Sequence, residues 1–178
     1  MKITPTDLHG ACLIDQPSSE DERGTFVKTF HESTLRAHQI EFTLRESYYS
    51  LSRKDVIRGM HFQTPPHQHS KIVFCQAGSI LDVIIDLRKD SPDFLKIFVH
   101  ELSAANKKAL YIPEGFAHGF RSLEDGTLTY YLVSTEYHKA SDTGIRFDTI
   151  GYDWNVAAPI LSARDLSFRS LQDFESPF

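Results

Sequence analysis

Hydrophobic and polar positions alternate along this chain in short runs separated by glycine, proline and small polar residues. The runs are Ala11–Ile14, Thr25–Phe30, Tyr48–Leu51, Lys71–Gln76, Ser79–Leu87, Phe94–Leu102, Ala109–Ile112, Gly119–Leu123, Thr127–Val133 and Gly144–Phe147. Their length and turn breaks predict strands. In Ser79–Leu87 the period of two places Leu81, Val83, Ile85 and Leu87 on one face and Asp82, Ile84 and Asp86 on the other, so one face belongs to a core and the other is mixed. Gln76-Ala77-Gly78 reads as a tight turn, which predicts a hairpin between Lys71–Gln76 and Ser79–Leu87. Helical signal is sparse. His31–Ile40 could form one helix started by Ser33 or Thr34, and Ser103–Lys108 one turn. Many short strands with glycine or proline at the joints predict an all-β sandwich or jelly roll over residues 1–178, closing as one domain, with Ala157–Phe178 packed outside as a C-terminal extension.

Composition narrows the function classes. With 178 residues, 40% of them hydrophobic, the chain can close a sizeable core without staples. Nineteen basic against 24 acidic residues give a net charge of −5, and the basic ones are scattered. No field exists to hold a nucleic-acid backbone or an anionic membrane. Apolar runs such as Ile72–Cys75 stop at four residues, whereas a membrane span needs about 20 and a secretion signal about 7 or more. A cytoplasmic protein is expected. Cys12 and Cys75 lack the spacing of a redox or zinc pair and read as reduced, strand-buried thiols.

Candidate chemistry gathers in three clusters: Arg58-Gly-Met-His61-Phe-Gln63, His67-Gln-His69-Ser-Lys71 and Pro113-Glu-Gly-Phe-Ala-His118-Gly119-Phe120. Titratable groups among aromatic and aliphatic neighbours are partly desolvated, which tunes them for proton transfer. His9, His31, His38, His100 and His138 have no such setting and read as ordinary solvated or hydrogen-bonded residues.

These clusters carry a family resemblance. Asp21-Glu-Arg-Gly24, Ile57-Arg-Gly-Met-His61-Phe-Gln63, Lys71-Ile-Val73, the Gly78–Arg88 segment read as G-x-x-x-D-V-x-x-D-L-R, and Ser91-Pro92 occur in this order. Ile112-Pro-Glu-Gly-Phe-Ala-His-Gly-Phe120, Tyr130-Tyr131 and Leu161-Ser-Ala-Arg-Asp165 follow. Together they resemble the dTDP-4-dehydrorhamnose 3,5-epimerase family from about residue 4 to residue 166. The resemblance implies a cupin-type jelly roll, a homodimer with swapped N-terminal strands, a nucleotide-diphospho-sugar substrate with a 4-keto-6-deoxy sugar, and no cofactor.

It also implies roles. His61 matches the catalytic base, with Asp165 accepting its other ring N–H; Tyr131 matches the general acid; and Lys71 matches the cation that holds the developing oxyanion. Thr127, Thr129, Tyr131 and Val133 put the Tyr131 ring on the face opposite Tyr130. His118 would reach the sugar, Asp82 would orient Lys71 or His118, and Arg58 and Arg23 would take the diphosphate. Tyr137 matches the residue that stacks on the base, and Gln63, Glu46 and Tyr48 complete the substrate-binding set. Two positions depart from thymidine-binding members: Glu46-Ser-Tyr48 stands where they carry Gln-x-Asn, and Lys28 where they carry Glu. A base other than thymine, such as cytosine, therefore stays open, as does the choice of C3, C5 or both.

Three other readings compete. A metal cupin would ligate iron, nickel or zinc through His67, His69 and His118, but Val73 and Phe74 occupy the place of its glutamate and Lys71 sits among the ligands. A silent sugar-binding cupin would be expected to lack His61 or Asp165. A 3,4-ketoisomerase on a similar sugar needs the same enolate, and Tyr131 with the Leu-Ser-Ala-Arg-Asp165 end favours epimerisation over it.

Overall fold

The computed structural model describes residues 1–178 and contains thirteen strands and two short α-helices. The strands are β1 (Lys2–Pro5), β2 (Cys12–Asp15), β3 (Ser18–Asp21), β4 (Gly24–Val27), β5 (Glu46–Ser52), β6 (Ile57–Gln63) and β7 (Lys71–Ala77). Then come β8 (Ser79–Asp86), β9 (Ile97–Ser103), β10 (Lys108–Ile112), β11 (Phe116–Ser122), β12 (Thr127–Val133) and β13 (Asp142–Gly144). The helices are α1 (Glu32–Ala37) and α2 (Ala163–Leu166). One sheet runs β1-β2-β10-β7-β12-β5, a second β13-β6-β11-β8-β9, and β3–β4 forms a separate hairpin. The two larger sheets stack as the cupin-type jelly roll that the pattern and the resemblance predict.

Alternation along the central strands builds three apolar layers. On β7, Val73 and Cys75 face inward between the sheets, while Ile72 and Phe74 face outward and are covered by Leu35 of α1, Ile40 and Phe42. On β8, Ile80 and Ile84 face inward, whereas Val83 and Ile85 face outward under Phe147, Ile150 and Trp154. Both faces of β8 are thus core, and Asp82 is a buried charge on the inner face. The tail does more than cap the outside. Leu161, Leu171, Phe174 and Phe178 seal the outer layer, and α2 carries Asp165 inward until it is only 3% exposed.

Two local expectations are corrected and a third holds. β7 and β8 are not a hairpin: β7 pairs with β10 and β12, and β8 with β11 and β9. The turn between them crosses from one sheet to the other, and Gly78, at φ +68°, packs so close to Thr127 that a Cβ would lie 2.5 Å from its Oγ1. The first helix covers only six residues, with no side-chain cap from Ser33 or Thr34; Gln39 at φ 62° ends it. Ser103–Lys108 forms the single turn expected, closed by the Lys107 N–H on the Ser103 carbonyl at 3.1 Å, and the Asn106 carboxamide oxygen braces it by accepting from the Ser103 and Lys108 N–H groups.

Candidate active site

β6 was not among the runs read as strands, yet it holds the centre of the site. It pairs with β11 so that His61 and His118 are direct Cα partners. The glycines of the two motifs permit this approach: a Cβ on Gly59 would lie 2.5 Å from the Gly119 Cα. A cleft of about 310 Å³ opens between the sheets, with His61 and His118 on one wall and Tyr131 of β12, Lys71 of β7 and Tyr48 of β5 on the other.

His61 donates from Nε2 to the Asp165 Oδ1 at 2.8 Å. Burial works to raise the Asp165 carboxyl, but the bond and charge of His61, the Gly59 N–H and Ser162 outweigh it and hold the group below the usual carboxylate range. Because that carboxylate only accepts, the ring proton is fixed on Nε2 and the lone pair on Nδ1. Asp165 stays in place because Ser162 caps α2, accepting from the Asp165 N–H at 3.0 Å.

His118 and Asp82 form a second, fully buried pair, Nε2 to Oδ1 at 2.6 Å. Burial pulls the His118 imidazole down, with Lys71 and His61 adding to this and Asp82 opposing. Asp82 therefore orients His118 rather than Lys71. Lys71 is 5% exposed and donates from Nζ to the His61 carbonyl at 3.3 Å. Burial pushes its ammonium down to about 8, although Asp142 and Asp82 pull the other way. Tyr131 lies on the inner face, opposite to Tyr130, and burial drives its hydroxyl well above the ordinary value, with Tyr48 adding. Tyr48 stacks on it at 4.7 Å, and burial pushes the Tyr48 hydroxyl up to about 12.

The remaining candidates are placed as follows. Arg58 lines the cleft with Nε on the Ser52 hydroxyl. Tyr137 stands at the rim, its N–H donated to Glu46 Oε2 at 2.8 Å. Gln63 lines the wall, but its amide is engaged with His67, His69, Glu136 and His138. Arg23 does not line the cleft: it sits at the tip of β3–β4, 90% exposed and paired with Asp21. His67 stacks on His138 at 3.6 Å outside the cleft, so the three imidazoles of the metal reading do not converge, and no group of three His, Cys, Asp or Glu side chains gathers as a metal site.

The sequence reading missed Ser50, Asp142 and Arg164 on the cleft wall. Arg164 pairs with Asp142 at 2.6 Å. Its place directly before Asp165 in a one-turn helix was the available signal.

The chain is similar to known epimerases over nearly its whole length. The family model described as dTDP-4-dehydrorhamnose 3,5-epimerase matches residues 5–173. A dTDP-4-dehydrorhamnose 3,5-epimerase of Shigella flexneri is 35% identical over 178 residues, covering 97% of each chain. A crystal structure of the Bacillus anthracis dTDP-4-dehydrorhamnose 3,5-epimerase, with TDP and PPi bound, superimposes with a TM-score of 0.92 at 34% identity, over 96% of this chain and 99% of that one. A Legionella pneumophila 3,5-epimerase in complex with dTDP-4-keto-L-rhamnose gives a TM-score of 0.93 at 30% identity, over 98% and 94% of the two chains.

Proposed function

The chain belongs to the dTDP-4-dehydrorhamnose 3,5-epimerase family and is an isomerase of the racemase and epimerase class, and from that premise we propose that it inverts C3 and C5 of a dTDP-linked 4-keto-6-deoxy sugar. The observation that carries this reading is the His61–Asp165 pair on one wall of the cleft, with Tyr131 and a buried Lys71 on the other. Protons at C3 and C5 are acidic because both carbons flank the C4 carbonyl. His61 Nδ1 removes one; the Lys71 ammonium holds the enolate oxygen; Tyr131 returns a proton from the opposite face. Asp165 stabilises the imidazolium formed in the first step. Arg58 takes the diphosphate and Tyr137 stacks on the base.

Glu46, which stands where thymidine binders carry glutamine, makes the nucleotide the part of the reading most in need of a test. Incubation with dTDP-, CDP- and GDP-linked 4-keto-6-deoxyhexoses in D₂O, read by mass spectrometry and NMR, is expected to show deuterium at C3 and C5 of the dTDP substrate and inverted product. A product with its carbonyl moved to C3 would mean a ketoisomerase.

A homodimer is part of the same proposal. Tyr49 and Leu51 on the edge strand β5 and Phe26 on the hairpin are each more than 60% exposed, an apolar surface suited to a second copy. Arg23 would then serve the partner's diphosphate.

Two further outcomes are expected. Exhaustive chelation should leave exchange and inversion unchanged, since every step uses side chains; activity regained only on adding a divalent metal would restore the metal cupin. Activity should also fall as pH rises through about 8, where Lys71 loses its charge. Stability moves the other way. The unfolded chain keeps the Lys71 proton up to its ordinary value of 10.5, so between about 8 and 10.5 it binds more protons than the folded one, and this group's contribution to stability rises with pH. Rate profiles and melting curves of the wild type and Lys71→Met check both; an alkaline limb that persists in the variant assigns it to another group.

A further inference from the structure

Phe168 does not line the cleft, yet two residues that do line it rest on its ring. The His61 imidazole meets the ring in a T-shaped contact, with centroids 5.7 Å apart and planes at 76°. The Arg164 guanidinium lies over it, with Cζ 5.1 Å from the centroid. Room for the ring is made by Gly144, the Cα partner of His61 across β6 and β13. A Cβ on Gly144 would lie 2.5 Å from the Phe168 Cε2 and 2.5 Å from the Met60 carbonyl oxygen. Because Gly144 has no positive φ, glycine is needed here for space rather than for backbone freedom. The chain on both sides of Phe168 is pinned as well. Ser162 caps α2, which ends at Ser167, and the Arg169 carbonyl accepts from the Arg146 N–H at 2.9 Å.

The base needs this support. One hydrogen bond from Nε2 to Asp165 at 2.8 Å fixes where that nitrogen sits but tolerates a tilt of the imidazole plane. The side chain is 29% exposed and belongs to none of the three apolar layers, so nothing in them resists the tilt. A flat ring set nearly at right angles to the imidazole does resist it. Proton removal depends on the aim of Nδ1, and a misplacement of about 1 Å can cost on the order of 10²-fold in rate. The one short helix therefore holds the base twice. Asp165 grips it in the plane, and Phe168, three residues on, stands across it while Arg164, tied to Asp142 at 2.6 Å, closes over the ring.

Resting on the epimerase reading, we infer that Phe168 is the positioning residue of the base: it holds the His61 imidazole in the plane that aims Nδ1 at the sugar, while Asp165 holds Nε2. The test compares two variants. Phe168→Leu keeps an apolar side chain and removes the flat ring; Phe168→Tyr restores the ring. With dTDP-4-keto-6-deoxyglucose in D₂O, the leucine variant is expected to lose about tenfold in kcat for exchange, within the cost of a misaimed group. KM and inhibition by dTDP should be unchanged. Inversion should fall by the same factor as exchange, because both wait on proton removal, and the tyrosine variant should recover most of the loss. In the His61→Ala background, with residual exchange followed over long incubation, Phe168→Leu should cost nothing more, since the group it positions is gone.

Wild-type exchange in the leucine variant would overturn the inference. So would a tyrosine variant no better than leucine, or a loss confined to KM and dTDP inhibition, which points to Arg164 instead. An equal loss in the His61→Ala background would also overturn it, since that marks a general loosening of the fold. Should Phe168→Leu melt early, the assays are run at a temperature where every variant is folded, and the comparison with His61→Ala still separates positioning from loosening. These outcomes are distinct from failure of the epimerase reading, in which the wild-type protein itself would exchange no proton of the substrate.

Discussion

Replacing His61 with alanine is expected to lower exchange of the sugar C–H protons by on the order of 10³-fold, within the range that a positioned general base contributes. The fold should survive. The His61 side chain is 29% exposed, packs edge-on against Phe168 and belongs to none of the three apolar layers, so its loss enlarges a cleft that is already open. Asp165 is a different case, because its carboxylate is buried and receives the His61 and Gly59 N–H groups. Asp165→Asn keeps the shape and an acceptor for Nε2–H but removes the charge opposite the imidazolium. Turnover should fall by about 10² to 10⁴ while substrate binding stays near normal, since the charge matters only after proton transfer. Measured together, deuterium exchange, dTDP affinity and melting temperature decide the matter. Retained exchange in His61→Ala would remove His61 as the base, and full activity in Asp165→Asn would reduce that residue to a structural acceptor for the His61 and Gly59 N–H groups.

The parts of this site differed in how far the sequence disclosed them, and the difference follows from chain separation. The alternation in β8 was legible because a strand buried on both sides is still written by a period of two, and it put Asp82 on the face opposite Val83 and Ile85. What alternation could not say is that the turn at Gly78 joins two sheets, since a corner and a hairpin use the same residues locally. β6 escaped notice for a chemical reason. A strand that lines a cleft with Arg58, His61 and Gln63 and approaches its neighbour through Gly59 has little apolar alternation left to read.

The pairings themselves were beyond local reading. Asp165 lies 104 residues from His61 and Asp82 lies 36 from His118; only the motif resemblance suggested the first, and the second was left open between Lys71 and His118 as the group that Asp82 orients. Arg164 and Asp142 went unnoticed because single charges on very short elements, α2 and β13, look like solvated surface until the fold places them against each other. His69 was noticed only as a candidate metal ligand; the Gln63 amide that meets it is held by backbone groups of residues 67, 136 and 138, which the sequence does not bring together.

Tyr131→Phe should separate removal of the proton from its return. The substitution deletes one hydroxyl and leaves the stack on Tyr48, the edge contact with His118 and the inner layer in place, so the cleft should keep its form. His61, Asp165 and Lys71 are untouched, and the enolate should still form. With the Tyr131 hydroxyl gone from the far wall, the proton returns mainly from the face it left, through His61. Tyr131 is suited to the acid role because burial, with Tyr48 and Asp82 adding, holds its hydroxyl protonated well past neutral pH; its replacement leaves no tyrosine on the cleft face of β12, since Tyr130 lies on the other face. Loss of a general acid costs about 10² to 10⁴ in rate, and here that cost falls on inversion rather than on exchange. The expected result in D₂O is sugar labelled at C5 and C3 without epimerisation, with exchange outrunning inversion by that factor. If exchange and inversion fall together, Tyr131 serves binding or packing, and the proton must come from Lys71 or water instead.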